Sequence, residues 1–421
     1  MTRPTSPFAY PAYRNLWFSR SVSMLGTGLV SIAMVFAVLQ IGGGPADIGI
    51  VLAARILPTG VMLLFGGVFA DRLNRRTLMV SADTARALVQ ATAGILLLTG
   101  SATVLSLALL NVLFGVATAF FNPSATGILP HTVPREVLQK ANGMIVLTTG
   151  VTDIVSPVVS ATALALASPG VVFLADAATF ALSALALSRM RIAQAQARGD
   201  RPTFGRDILA GWRLVSGTRW LWAGILTGSG YFMLVVAPLY VLGPVISTTR
   251  FDGPWSWAAI AAALSAGILI GAVSSMAVPT RRPLLIGTAG LLLQAVPSAL
   301  LALGADLPLV LGAQVLGGIG IGYFATIWDT LLQSQVPEGS RSKVGAYDWA
   351  GNLVAMPIGL ALAGPVADLI GVESVFWLAA AFALVLIVPL LFLVEFRTLN
   401  TESPPLPEAE VLLEQAERSH A

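Results

Sequence analysis

Long apolar runs alternate with short polar breaks along almost the whole chain. A membrane-crossing helix needs about 20 mostly apolar residues at about 1.5 Å rise each. Twelve segments meet that need, at roughly 16–40, 47–70, 77–99, 103–129, 139–166, 170–189, 219–246, 255–277, 283–304, 307–333, 343–367 and 372–394. Several carry Gly or Pro inside, which membrane helices tolerate better than soluble ones. The pattern predicts an all-α polytopic membrane protein with twelve transmembrane helices. Its domains are expected at 1–190 (six helices), 191–218 (a cytoplasmic linker), 219–396 (six helices) and 397–421 (a flexible cytoplasmic tail).

Composition agrees with the pattern. Of 421 residues 56% are hydrophobic and 11% charged, with mean hydropathy +0.82, whereas soluble domains carry roughly 25% charged residues. Cysteine is absent and only His131 and His420 are histidines. Thiolate chemistry, disulfides and histidine metal sites are excluded, and neither a metal nor a cofactor is expected. Met1 to Arg14 shows no secretory leader, so the first apolar run is read as a span.

The Lys and Arg residues set orientation. With a cytoplasmic N-terminus, 21 of the 24 fall in cytoplasmic breaks or termini. Arg250 alone is external, and Arg55 and Arg86 lie within spans. Both termini are therefore expected in the cytoplasm of a multi-pass cell-membrane protein. The net charge of +3 sits in the breaks, which suits lipid headgroups rather than nucleic acid. Within the linker, Asp207 to Val215 is amphipathic, and Arg206, Trp212 and Arg213 suit a helix lying at headgroup level.

The halves repeat. Thr132-Val133-Pro134 recurs as Gln335-Val336-Pro337, Val172-Phe173 as Val375-Phe376, and Lys140 as Lys343, all at a shift of 203. Six is even, so the two six-helix bundles share one orientation and form a parallel pseudo-repeat.

Gly66 to Arg76 is a charged hinge between the second and third apolar runs, with Gly67, Asp71, Arg72, Arg75 and Arg76 in fixed order. Phe121-Asn122-Pro123, Leu138 to Asn142, Trp328, Gln333, Val336-Pro337 and Arg341 add to it. On these residues the chain resembles the major facilitator superfamily, and within it bacterial drug and siderophore exporters of the enterobactin-exporter type. The likeness covers about residues 10 to 396. It implies a secondary active transporter exporting a small amphipathic organic compound by alternating access, coupled to proton influx. The alternatives are proton-coupled uptake, or a membrane sensor on the same fold. No Walker motif or metalloenzyme motif is present, so an ATP-driven pump and an enzyme are disfavoured. The expected partners are a small organic substrate, protons and membrane lipids, with a monomeric chain.

The resemblance implies that Gly67, Asp71, Arg72, Arg75 and Arg76 form a conformational latch. Gly67 lets a neighbouring helix approach and Asp71 accepts from the N-terminus of the eleventh span. The arginines can hold lipid phosphate and fix topology. The second hinge, 272–282, keeps Arg281-Arg282 but has lost the acid. Gly143, Ser156 and Pro157 mark the fifth span as antiporter-like. The arginine that drug–proton antiporters often carry in span four is missing from Asn111 to Gly115. Among charges within spans, Asp153, with Arg55 as partner, is the candidate for proton coupling. Asp83 and Arg86, three residues apart, read as a local ion pair. The resemblance places Asp176 on a peripheral helix. Phe120, Phe121, Asn122, Tyr231, Gln314, Tyr323 and Trp328 are candidates for a substrate cavity.

Overall fold

The computed structural model describes residues 6–70, 74–191, 204–277 and 280–400. Helices make up nearly all of it, and there is no strand among the described residues. They run α1 Pro11–Gln40, α2 Pro45–Ala70, α3 Arg75–Leu98, α4 Val104–Ile128, α5 Arg135–Leu166, α6 Pro169–Ser188 and α7 Phe204–Gly217. Then follow α8 Arg219–Arg250, α9 Pro254–Ala277, α10 Pro283–Leu303 and α11 Leu307–Gln335. Glu338–Ile370 (α12), Val372–Phe392 (α13) and the short Val394–Thr398 (α14) complete the described helices. Among the described residues, ten of these helices (α1, α4, α5, α6 and α8 to α13) are long and apolar enough to cross a membrane.

The starts are written in the sequence. Proline opens α1, α2, α6, α9 and α10, where its missing N–H would have had no helical partner. Asn74 caps α3, its Oδ1 accepting from the Arg76 and Thr77 amides at 3.0 and 3.4 Å. Thr103 and Ser106 form a reciprocal capping box on α4. Gly304 ends α10 with φ 71°, a left-handed conformation that residues with a Cβ avoid. Within α8, Phe232–Val236 form one π-helical turn.

Two compact units emerge. One comprises Met1–Gly199 with Pro244–Ala262, the other Asp200–Gly243 with Ala263–Ala421. The end of α8 and the start of α9 thus group with the first unit. In the first unit α1 packs on α5 and α6, α2 on α4, and α3 on α4 and α6. Its apolar core gathers Tyr13, Leu16, Met79, Phe121, Ile128 and Leu187, and the Tyr13 hydroxyl donates to the Ala141 carbonyl at 2.8 Å. In the second unit α8 packs on α12 and α13, and α10 on α11 and α13. Gly267, Gly318 and Gly322 bring α9 and α11 into backbone contact. The N-cap residues of α4, α5 and α6 are Thr103, Pro134 and Ser168. Those of α11, α12 and α13 are Asp306, Pro337 and Gly371, each 203 residues later.

The linker helix α7 lies on its own unit. Gly211 meets Lys343 and Tyr347 of α12, and the Trp212 ring lies 5.9 Å from that of Tyr347. Leu214 and Val215 are buried, while Trp212 and Arg213 stay on the exposed face.

Candidate functional site

Three polar residues of α3 face inward. Asp83, Arg86 and Gln90 are all at most 5% exposed, and their spacing of three and four residues places them on one helical face. Asp176, Thr179 and Ser183 repeat that spacing on α6. Because α3 and α6 pack together, the two stripes meet along one seam. At one end Asp83 pairs with Arg86 on its own helix and accepts from Ser183 Oγ at 2.5 Å. Ser183 in turn shares a hydrogen bond of 2.7 Å with Ser19 of α1. At the other end Gln90 Nε2 donates to Asp176 Oδ2 at 2.5 Å and Thr179 Oγ1 donates to Asp176 Oδ1 at 3.0 Å. Seven residues of α3 separate the ends, roughly 10 Å along the helix.

Aromatic rings surround the cations. The Arg86 guanidinium lies over Phe121 at 4.2 Å and over Phe180 at 4.6 Å. Arg55 lies over Phe114 at 4.1 Å, and Phe114 meets Phe180 edge-on at 5.5 Å. A guanidinium accepts this setting because its charge is delocalised and weakly hydrated. Arg86 Nε has no hydrogen-bond acceptor. Both arginines lie within electrostatic reach of Asp176. On α1, Gly26 leaves the room: a Cβ there would overlap Asp176 Oδ1 and Thr179 Oγ1.

The matching seam between α10 and α13 is built from other material. Leu291, Ala383 and Ile387 are buried there, backed by Leu292, Phe382 and Leu386. No charged residue occurs in Pro283–Leu303, and only Glu373 occurs in Val372–Phe392. A polar pair survives in α10 and α11, where Gln294 Nε2 donates to Gln314 Oε1 at 3.3 Å. The same helix pairing therefore packs well without ions, so packing does not require those of α3 and α6.

The remaining sequence-predicted residues distribute as follows. Asp71 and Arg72 lie outside the described residues; Gly67 belongs to α2. Arg75 donates to the Gly127 carbonyl at the end of α4 at 2.5 Å, and a Cβ on Gly127 would run into its guanidinium. Arg76 Nε donates to the Leu187 carbonyl at 3.0 Å and its Nη2 to that of Ser188, at the end of α6. Both cations thus sit on helix C-termini, where the dipole favours them, rather than extending freely towards lipid. Arg281 and Arg282 of the second hinge are exposed.

Arg55 and Asp153 are not brought together. The charges around Arg55 are Asp176 and Arg86, whereas Asp153 stands on the exposed face of α5 between Val151 and Val155. Pro157, one turn on, lacks the N–H that would bond the Asp153 carbonyl. Ser156 is buried against Gly28 of α1, and its hydroxyl has no partner among the described residues. Ser160 Oγ donates to the Leu29 carbonyl at 2.7 Å. Gly143 has open space around it. Asp176, on the helix that the resemblance implies is peripheral, is fully buried within its unit.

Four of the seven cavity candidates are packed inside their own unit. Phe121 holds Arg86, the Tyr231 hydroxyl donates to the Leu291 carbonyl at 3.1 Å, and Gln314 is paired with Gln294. Trp328 lies between Trp220 and Phe324 at 5.5 and 5.8 Å. Asn122 is exposed, and Phe120 and Tyr323 are half-buried. In the second unit Asp329 and Asp348 border a recess of about 190 Å³ with Gln333, Arg341 and Trp349.

A profile described as Major Facilitator Superfamily matches residues 16–347 and 279–419. The chain belongs to the major facilitator superfamily. This facilitator is 30% identical to the multidrug efflux pump Tap of Mycolicibacterium fortuitum over 404 residues, 92% of this chain and 97% of that one. It is 24% identical to macrolide efflux protein A of Streptococcus pyogenes over 398 residues, 92% and 97% of the two chains. Among solved structures it resembles a bacterial homologue of the human lysosomal transporter Spinster, with TM-score 0.71, 14% identity and coverage of 96% and 100%. A bacterial homologue of the iron transporter ferroportin gives TM-score 0.69, 18% identity and coverage of 90% and 98%. These structures share the fold. The facilitator is a multi-pass membrane transporter.

The residues that the sequence reading passed over are Gln90, Thr179, Ser183 and Gly26. Two matched stripes, 83/86/90 and 176/179/183, were the available signal.

Proposed function

We propose that this facilitator carries a small, amphipathic, neutral or weakly charged organic compound out of the cell across the cytoplasmic membrane, by alternating access coupled to proton influx. The charged seam between α3 and α6 is the observation that carries the coupling. Its ions occupy a place that the α10–α13 pairing fills with apolar side chains. The relatives' names, a multidrug efflux pump and a macrolide efflux protein, support export. Counting α2 and α3 with the ten apolar helices gives twelve spans in two six-helix bundles. The constant shift of 203 between helix starts supports a parallel duplication. With both termini cytoplasmic, Arg75 and Arg76 stand on the cytoplasmic side, where anionic lipid favours them. The chain acts as a monomer in this reading, and Asn122, Phe120 and Tyr323 are the cavity candidates that keep accessible surface.

The hinge is read as a latch whose acid is Asp71. Asp71→Asn should insert normally and cycle slowly. A well-folded Asp71→Asn protein transporting at the wild-type rate refutes the latch.

Direction and driving force are tested with membrane vesicles, using ethidium and radiolabelled erythromycin as probes. Everted vesicles should accumulate a probe under an inward-acid gradient and lose it on adding a protonophore. Accumulation only in right-side-out vesicles indicates uptake. Movement indifferent to the protonophore removes the proton.

A further inference from the structure

We propose that Asp176 is the carboxylate that takes up and releases the driving proton, with Gln90 as its reversible hydrogen-bond partner and Arg55 and Arg86 as compensating cations. This inference rests on the proton-coupled reading above and names the group within it. Two acids lie in the seam, and their partners differ in kind. Asp83 is in direct ion contact with Arg86 and is capped by Ser183. A cation at contact distance holds a carboxylate ionised. Asp176 has no cation in contact. Its direct side-chain partners are an amide and a hydroxyl, the Gln90 NH2 on Oδ2 and the Thr179 OH on Oδ1.

Those partners serve both protonation states. An amide presents two donors on nitrogen and an acceptor on oxygen, and a hydroxyl both donates and accepts. Facing the carboxylate, Gln90 donates from nitrogen. Facing the carboxylic acid, a half-turn of the amide lets Gln90 Oε1 accept the new O–H. No side chain has to leave the seam, and Asp176 keeps Gln90 as a hydrogen-bond partner in either state.

The charges around Asp176 come from two helices. Arg55 faces it from α2 and Arg86 from α3, the latter shared with Asp83. From α1 comes Gly26, without a side chain. The α4 contribution is aromatic, Phe114 and Phe121, and α5 places no charge on it. With both acids ionised, two anions balance two cations. One proton on Asp176 leaves a net positive charge, carried on Arg55, since Arg86 is paired with Asp83. Arg55 belongs to α2, the helix that runs on through Gly67 to the hinge. Protonation at the seam is thereby registered as an uncompensated cation on the hinge-bearing helix. The cycle balances: a proton enters from outside to form the Asp176 O–H bond, and the same proton leaves to the cytoplasm as substrate departs in the opposite direction.

Asp153 lacks these features. Its side chain lies on an exposed helix face, with no hydrogen-bond or ion-pair partner among the described residues.

The experiment has a substrate-free arm and a transport arm, both on the full-length protein in liposomes. Infrared difference spectra between acidic and neutral pH should contain a protonated-carboxyl band that Asp176→Asn removes. Gln90→Leu should shift that band by taking away its hydrogen bond, and Asp83→Asn should leave it in place. A spectrum unchanged by Asp176→Asn overturns the inference without reference to any substrate. In the transport arm Asp176→Asn should lose pH-gradient-driven erythromycin or ethidium movement while keeping probe exchange at equal pH. Asp176→Glu should restore driven movement, and Asp153→Asn should match wild type. If Asp176→Asn folds poorly, Gln90→Leu/Asp176→Ala copies the apolar filling of α10 and α13 and takes its place. Driven movement retained by either variant overturns the inference. If the wild-type protein moves both probes without regard to the gradient, the coupled reading falls instead, whatever the spectra show.

Discussion

Asp83 and Arg86 show how a buried charge is held, and what each atom around it contributes. The pair shares one turn of α3, Ser183 satisfies the acid, and two phenyl rings cover the cation. Removing one partner of a buried pair leaves the other uncompensated, at a cost of about 3–5 kcal/mol, whereas replacing both by apolar groups is often neutral. Asp83→Asn should therefore lower thermal stability in detergent far more than Asp83→Leu/Arg86→Met. The glycines separate in the same way. Gly127→Ala must displace the Arg75 guanidinium and break a charge-assisted bond, a loss of about 1.5–3 kcal/mol. Gly143→Ala meets open space and should stay within about 0.5 kcal/mol of wild type in the same melts. The sequence displays depth but not direction at this scale. The distance of Asp153 or Asp176 from the end of its helix follows from counting residues. Whether each points to a neighbour or away from all of them depends on helix rotation, which the partners 80 or 130 residues away decide. So the two acids exchanged prominence once the helices were assembled: Asp176 is at 0% exposure and Asp153 is exposed.

Helices were the legible element, because crossing a membrane imposes a length and an apolar composition that few other structures satisfy. Even α3, too polar to pass a strict hydropathy criterion, was marked at 77–99 by its flanking breaks. Its polarity is the seam itself. What the sequence does not display is how closely two helices approach. Gly322 of α11 has the Ile268 carbonyl where its Cβ would be, and Gly320 has that of Gly290. Backbone cannot yield as a flexible side chain can. Gly322→Leu should therefore prevent folding, seen as loss of the monodisperse peak from detergent extracts, while Gly312→Leu, with nothing near it, should be extracted normally. Between α1 and α5 the contact is Gly28 against Ser156. In the second unit the corresponding α8–α12 contact is Gly359 against the Met233 carbonyl. The small residue has changed helix while the contact has been kept, which a residue-by-residue comparison of the halves does not detect.

At the scale of the whole molecule, charge distribution is the strongest ordering principle. With 21 of 24 basic residues in alternate breaks, reporter fusions should report cytoplasm after Met190 and after Leu399, and the outside at Ser101 and at Asp252. A cytoplasmic signal at Ser101 would mean that α2 and α3 do not both cross. The hinge arginines add an element of time. Arg75 is made 52 residues before its acceptor on α4, and Arg76 112 residues before Ser188 on α6. At about 5–20 residues per second, roughly 3–10 s pass before the first acceptor exists and roughly 6–22 s before the second. On the proposed topology the hinge cations face phosphate headgroups through that interval, which would hold the chain's orientation while insertion proceeds. On the same topology, the C-terminal carbonyls of α4 and then of α6 take over from the lipid as acceptors of Arg75 and Arg76. One pair of side chains thus acts first as a stop during synthesis and afterwards as a fastening in the finished bundle, and the order of translation sets the order of those two tasks.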